Sequence, residues 1–429
     1  MLRRIALIAL GVVLVRGVAL ADGPVPLTLD AALVLALDRN AGYRIAHTDV
    51  LAMQTRLRQA AAPRLPSVAL RDSVSYASPV ATLTTPFGTL PFSTTTTTNV
   101  PLLTLDYRVF DGGVTAARVS QAAAELAAAA AQERLGRMAL IDTTTKAYFD
   151  LAAAMQSAVV SDRAVEVSQL HVTDAKALLA AGQVPRAEVL RAETELANER
   201  VQRLGSRNAV ALAQAFLDNV LGVPLSDLHQ PTDRLDTEAP EIALETLLSA
   251  ASTHRGDVAA SQAALDAAEY ALKEMRAGRA PQIDVVLADG NVRPAIAPGY
   301  RNQFSIGLNA VWTLFDNGSN AARVDAARAG IDRSKLTLDR LRGEIELNVR
   351  QAYLNLGDAK ARVEASQSYV KFADESLRLA QVRYRGGVGT VLELQDAEYR
   401  ATSARQTLIA AQVAEREGVV HVRFTAGLL

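Results

Sequence analysis

The chain contains no cysteine among its 429 residues. Disulfides are therefore unavailable, and so is a lipid attached through an N-terminal cysteine. Aromatics are scarce at 5%, although apolar residues reach 49%, and runs such as QAAAELAAAAAQ supply much of the difference. Alanine is the best helix former and too small to fill a thick core, so such runs suit long helices packed closely side by side. Charge of one sign is also missing, the net charge being −1. This argues against a nucleic-acid partner, which needs a basic face, and leaves membrane-surface binding by a polybasic patch unsupported. Past Asp22 no stretch approaches the roughly 20 uninterrupted apolar residues of a membrane helix. Entry into a membrane would have to be as β-structure.

The first residues read as a secretory signal, residues 1–21: Arg3 and Arg4, an apolar stretch from Ile5 to Val15, then Ala19-Leu20-Ala21 ahead of Asp22. Arg16 shortens the apolar run, which disfavours the alternative of a retained anchor.

Comparing the chain with itself is more informative, because a repeat decides the architecture. Phe110-Asp111-Gly112-Gly113, followed by Ala116-Ala117-Arg118-Val119, returns 205 residues later as Phe315-Asp316-Asn317-Gly318 and Ala321-Ala322-Arg323-Val324. Tyr148 and Tyr353, Gly182 and Gly387, Ala192 and Ala397, and Gly222 and Gly427 keep that offset. Upstream it becomes 215, pairing Pro66 with Pro281 and Leu33 with Leu248, so the two halves differ in a loop between Pro66 and Phe110.

Each half reads as a helix, two strands and two further helices. The first repeat, 22–222, has a helix over about 28–62 that Thr28 or Asp30 can cap, a strand pair over about 66–110 around a Thr/Pro/Gly-rich loop at 82–98, a long helix over about 113–180 and a helix over about 187–220. A linker, 223–241, leads to the second repeat, 242–429, with strands over about 281–315 and helices over about 318–385 and 391–425. The strands alternate: Val68, Leu70, Val74 and Tyr76 against Ala69, Arg71, Ser73 and Ser75; Leu103, Leu105, Tyr107 and Val109 against Thr104, Asp106 and Arg108; and Phe304 through Leu314 in the same manner. Strands of about ten residues with one apolar face suit a membrane barrel, and Tyr76, Phe110, Tyr300, Phe304, Trp312 and Phe315 stand at or near their ends as an aromatic girdle would. Two soluble hairpins remain the alternative. From Gly113 to about Ala180 no proline interrupts the chain, and such a segment as one helix would be about 100 Å long, far beyond a globular domain of this size. Ile331, Leu338, Ile345, Ala352 and Ala359 step by sevens, the coiled-coil period. Four strands cannot close a barrel and an open edge is not tolerated in lipid. Two copies would give about eight strands and a filled interior; three would give about twelve and a pore.

The tandem halves, strand pairs, long helices and FDGG and FDNG junctions together resemble the TolC-type outer-membrane efflux protein family (outer membrane factors), over essentially the whole mature chain. YRGGVGTVLELQDAEYR, Tyr384 to Arg400, is the most specific stretch. The resemblance implies a mainly α fold with membrane β-strands: a homotrimeric β-barrel of about twelve strands, four per chain, continued by a coiled-coil α-helical barrel. It implies a passive duct through outer membrane and periplasm, surrounded by outer-membrane lipid. The duct would contact a periplasmic adaptor (membrane fusion) protein and be fed by an inner-membrane transporter of RND, ABC or MFS type. Cargo would be small toxic molecules or drugs; the alternatives are a type I protein-secretion duct and a non-conducting structural or adhesive stalk.

Site residues follow by position. Asp396 falls on the family's aperture aspartate, Glu393 on a second acidic position and Tyr384 on the tyrosine that helps hold the entrance shut. The arginine that ties the family's closed entrance corresponds to Gly389, so that link is missing, and Arg385 or Arg191 could substitute. Glu188 and Arg191 are the first-half counterparts of Glu393 and Asp396, which makes a cross-helix Arg191–Asp396 pair possible. The turns holding Gly182, Gln183, Val184, Gly387, Val388, Gly389 and Thr390 are candidate adaptor contacts, although tight helix-to-helix turns use glycine anyway. A ring of Glu393 and Asp396 would favour cations, whereas without the resemblance this face reads as ordinary solvated helix. His47, His171, His229, His254 and His421 lack metal-ligand spacing and read as helix-surface or interface residues. No phosphate loop or nucleophile elbow occurs, so no cofactor and no catalysis are expected.

Overall fold

The computed structural model describes residues 25–77, 82–91, 96–225, 228–235, 242–292, 301–386 and 388–429. The expected signal segment at 1–21, together with Tyr300 and Gly387, lies outside the described residues. In chain order the elements are β1 (Val25–Leu27), α1 (Leu29–Arg39), α2 (Ala41–Ala61), β2 (Ser67–Ala77), β3 (Thr82–Thr85), β4 (Gly88–Pro91), β5 (Thr96–Phe110), α3 (Val114–Ala180), α4 (Arg186–Leu221), β6 (His229–Pro231), α5 (Leu244–His254), α6 (Gly256–Ala277), β7 (Gln282–Val292), β8 (Arg301–Val311), α7 (Ser319–Arg385) and α8 (Val391–Thr425). The repeat persists in three dimensions: α3 and α7 each run 67 residues, and β2 and β7 each run 11.

The FDGG and FDNG junctions have one cause. Asp111 accepts the backbone N–H groups of Gly113 and Thr115, at 2.9 and 2.7 Å, and so caps α3. Asp316 does the same for Gly318 and Asn320 at the start of α7, at 3.1 and 2.7 Å. The two residues after each aspartate take positive φ, with Gly112 at 66° and Gly113 at 94° matched by Asn317 at 53° and Gly318 at 83°. Asparagine tolerates that region, so Asn317 serves in the second half. Gly112 is more constrained, because a Cβ there would stand 2.2 Å from Ala280 Cβ.

The chain forms two compact units, each taking segments from both halves of the repeat. One comprises the described parts of Arg39–Thr143, Glu238–Gln367 and Ala414–Leu429 and holds the main sheet. Its strand order is β2-β5-β7-β8, antiparallel throughout, so the two halves meet where β5 pairs with β7. Register aligns Leu105, Leu287 and Ile306 in one rung and Tyr107, Val285 and Leu308 in another, with Val68 opposite Leu105. Leu70, Ile306 and Leu308 are 74, 68 and 72% exposed, so this apolar face is left uncovered by the described residues of its own chain. On the other face Thr104, Ala288 and Ser305 share a rung, as do Arg108, Asp284 and Asn309, and Arg108 Nε donates to Asp284 Oδ1 at 3.0 Å.

Several expectations are corrected in this unit. The helix expected over 28–62 is two helices, because Asn40 leaves the helical conformation (ψ 122°) and its side chain accepts the Tyr43 N–H at 3.0 Å, capping a new helix. The second half breaks likewise at Arg255, between α5 and α6. The loop expected at 82–98 contains the hairpin β3–β4, turned at Gly88 with φ 129°. Strand β8 stops at Val311 instead of continuing to Phe315: Trp312 Nε1 donates to Arg279 O at 3.0 Å as the chain turns toward the Asp316 cap. A bulge at Val109 moves Phe110 opposite Ile283, onto the apolar face that strict alternation denies it. The heptad reading agrees with the burial, Ile331, Leu338, Ile345, Ala352 and Ala359 all being buried. Ile345 and Ala352 pack with Leu247, Val349, Val419 and Val422.

The other unit comprises the described parts of Met1–Asp38, Thr144–Thr237 and Ser368–Val413. A two-stranded parallel sheet of β1 and β6 lies in it, unforeseen because three-residue strands carry no periodicity. Buried Tyr148 ties it down: its hydroxyl bonds Leu27 O at 2.8 Å and Asp233 Oδ2 at 2.5 Å and accepts the Thr232 N–H at 3.0 Å. Asp233 Oδ2 in turn accepts the Leu29 N–H at 2.7 Å. His229, read from sequence as a surface or interface residue, is buried in β6 with Nδ1 2.9 Å from Asp218 Oδ1 and 3.1 Å from Gln214 Nε2.

Candidate functional site

The turns that close α3 onto α4 and α7 onto α8 both belong to the second of these units. At the first, Gly182 has φ 72°; its N–H bonds Leu179 O at 3.0 Å and the Gln183 N–H bonds Leu178 O at 2.9 Å. This double bond pattern closes a helix through a left-handed residue, a conformation glycine takes without penalty. At the second, the N–H groups of Val388 and Gly389 both reach Arg383 O at 3.0 Å. A Cβ on Gly389 would stand 3.0 Å from both Arg383 Cβ and Tyr384 N, so the chain passes too close to the end of α7 to accommodate a larger residue without moving it. Thr390 Oγ1 accepts the Glu393 N–H at 3.1 Å and caps α8. Gly182, Gly389 and Thr390 are thus turn-building residues, while Gln183 and Val388 are exposed, Val388 by 71%.

On α8, Leu394, Ala397, Ala401 and Ala404 are buried and Glu393, Asp396 and Arg400 face outward. Asp396 pairs with Arg400 on its own helix at 2.9 Å, and Arg191 pairs with Glu188 on α4 at 3.2 Å. The cross-helix Arg191–Asp396 pair is therefore not formed, each charge being satisfied one turn away. The arginine facing Glu393 is Arg383, at 3.6 Å, with its guanidinium also 3.4 Å from Val388 O. Arg385 or Arg191 was the expectation, and the motif itself gives no way to choose among the arginines near Tyr384. Tyr384 is half-buried in a pocket of about 20 Å³ lined by His171, Asp174, Glu188 and Leu394. Burial, and then the charges of Asp174 and Glu188, push its phenol pKa up, so it remains a neutral donor.

A second cavity, of about 90 Å³, lies among α3, α4, α7 and α8 and is lined by Arg163, Glu195, Glu199, Glu398 and Arg405. Nothing in the sequence pattern marked Glu398, whose carboxyl is pushed up to about 7 by burial and then by Glu195 and Glu199.

A family model described as outer membrane efflux protein matches residues 32–223 and 247–427, one range on each half of the repeat. The chain belongs to the outer membrane efflux protein family. Protein CyaE of Bordetella pertussis is 30% identical over 399 residues, covering 91% of this chain and 82% of the relative. Proteases secretion protein PrtF of Dickeya chrysanthemi is 24% identical over 259 residues, 59% of this chain and 56% of the relative. In structure, the Campylobacter jejuni CmeC outer membrane channel superposes with a TM-score of 0.80 at 17% identity, over 93% of this chain and 85% of that chain.

As a member of the outer membrane efflux protein family, the chain is an export channel of outer membrane and periplasm, and its fold is that of the trimeric channels with a membrane β-barrel and an α-helical barrel. No helix among the described residues is long and apolar enough to cross a membrane. Tyr76 and Phe304 lie toward one end of the β2-β5-β7-β8 sheet, on rungs with Thr97 and Asp289, whereas Phe110, Trp312 and Phe315 lie at or beyond the other. All five side chains are exposed.

Proposed function

We propose that three copies of this chain close one barrel from their four-stranded sheets and act as the passive outer-membrane duct of a tripartite exporter. The observation that carries this reading is the sheet itself: β2 and β8 are both edge strands, one face is apolar and exposed, and the other bears Arg108, Asp284 and Asn309. An unpaired edge in lipid leaves backbone groups without partners, so further copies must supply them, and three leave room for a pore. A stripe on α7 supports the same conclusion. Leu336, Leu347 and Leu354, all in the unit that holds the main sheet, are exposed and recur at spacings that return to one side of a 3.6-residue helix, as an interface with another copy requires. Tyr76, Phe110, Phe304, Trp312 and Phe315 serve as the aromatic girdle. The turns carrying the exposed Gln183 and Val388 and the half-buried Val184 meet a periplasmic adaptor, behind which an inner-membrane transporter supplies the cargo.

Glu393 and Asp396 line the periplasmic entrance, and Arg383 replaces the latch that Gly389 lacks room to carry. Reconstituted in planar bilayers, the trimer conducts, and replacing Glu393 and Asp396 with alanine weakens cation preference. Unchanged reversal potentials in the double variant would remove these residues from the entrance, and absence of current under all conditions would defeat the duct. Val388→Glu abolishes export with normal trimer formation; a failure of assembly would assign Val388 to the turn alone.

Small toxic molecules or drugs are the cargo in the first reading, which rests on the family description. Polypeptide cargo is the second, favoured by the relative PrtF, whose name is that of a proteases secretion protein. Deleting the gene separates them: drug susceptibility rises in the first case, and a secreted polypeptide disappears from the medium in the second.

A further inference from the structure

The cavity behind the entrance contains a buried carboxyl that the duct reading leaves unused. Glu398 is on α8, its side chain 18% exposed, and its Oε1 is shut off from solvent with no hydrogen-bond donor to it among the described residues. That oxygen lies 3.3 Å from Nε2 of His171 on α3. Facing Glu398 across the cavity of about 90 Å³ are Glu195 and Glu199 on α4 and Arg163 on α3. Arg405 also lines it from α8 but is held by Asp374 of α7 at 2.8 Å, and α7 otherwise contributes the uncharged Leu377 and Gln381. Asp174 acts on His171 from one turn away on α3.

We propose that Glu398 is a proton-operated clasp between α4 and α8: protonated, it lets the helices close over the cavity; ionised, it forces them apart and loosens the bundle behind the entrance. When ionised, Glu398 adds a third carboxylate to Glu195 and Glu199, with Arg163 and the Asp374-paired Arg405 as the cations lining the cavity among the described residues. Like charges this close, partly shielded from water, repel strongly. Once protonated, the acid has a hydroxyl to offer the neutral imidazole of His171 or a water in the cavity, and the repulsion falls by one charge. The protein's own shifts agree with this. Burial and its two glutamate neighbours raise Glu398 to about 7, and burial and Glu195 raise Glu199. Burial lowers His171 against the opposing pull of Asp174, which favours the neutral imidazole. Glu398 is therefore the group of this cluster that titrates near neutral pH.

Its link to channel opening rests on the duct reading; the clasp itself does not. Amide hydrogen exchange of the full trimer, corrected for the intrinsic effect of pH, reads it in peptides covering 160–171 and 395–405. Exchange there is expected to slow about tenfold between pH ~8 and pH ~5.5, the equivalent of one pKa unit of differential stability. Glu398→Gln, a mimic of the neutral acid, is slow at both. Glu199→Gln moves the midpoint to lower pH by removing a repelling charge. A wild-type profile that is flat, a Glu398→Gln protein that keeps the wild-type pH dependence, or an unmoved midpoint in Glu199→Gln would each overturn the proposal. Bilayer current recorded alongside should lose its pH dependence in Glu398→Gln. If no current flows at any pH, the duct reading fails and the exchange profile still decides the clasp.

Discussion

At Asp316 a single carboxylate accepts two backbone N–H groups at the start of a 67-residue helix. Asp316→Ala is expected to cost about 1 kcal/mol, the usual value of such a cap, read as a lowered thermal midpoint. Gly182→Ala forces a Cβ into φ 72° and is expected to cost about 1 kcal/mol. Titration at Glu398 has a definite sign. Its folded pKa is about 7 against an ordinary 4.5, so the stability it contributes is fully present below 4.5 and is lost as pH rises through about 7. His171 works the other way, its contribution being present above 6.5 and lost as pH falls, because its pKa is lowered on folding. Denaturant unfolding should therefore find Glu398→Gln more stable than wild type at alkaline pH and no more stable in acid. Asp396 and Glu393 were recognisable from a motif; Glu398 was not, because what raises its pKa is burial beside two carboxylates on another helix.

Among the elements, α7 separates two kinds of leucine. Leu338 is 4% exposed and packs with Leu265 and Ile331, so Leu338→Ala should cost about 2–5 kcal/mol through the cavity it leaves. Leu336 and Leu354 are about two-thirds exposed in the chain, 70 and 68%. Replacing both with glutamate should leave the chain's own packing intact and shift trimer toward monomer, measured by sedimentation in detergent. The seven-residue spacing announced the first class in advance, since it is a property of one helix. Breaks at Asn40 and Arg255 went unseen, because a polar residue in a helical pattern reads equally as surface or as cap until its backbone is known. The bulge at Val109 was hidden for a similar reason, since alternation on one strand holds no record of its partner's register.

For the molecule as a whole, the decisive surface is the apolar face of the sheet. Leu287 sits mid-strand between Leu105 and Ile306, and Leu287→Lys should cost about 2–4 kcal/mol if that rung meets the middle of a bilayer. Folding yield into lipid vesicles measures this, and a tolerated lysine would show that the rung is not lipid-facing. The tandem repeat, the long helices, the alternating strands and the need for further copies all follow from residue order, because periodicity and self-similarity are properties of one dimension. The β5–β7 pairing across the two halves, the Tyr148–Asp233 tie around β1 and β6, the choice of Arg383 over Arg385 and the setting of Glu398 required the folded chain. Each depends on which distant residues become neighbours and how much water is left between them, and packing alone determines both.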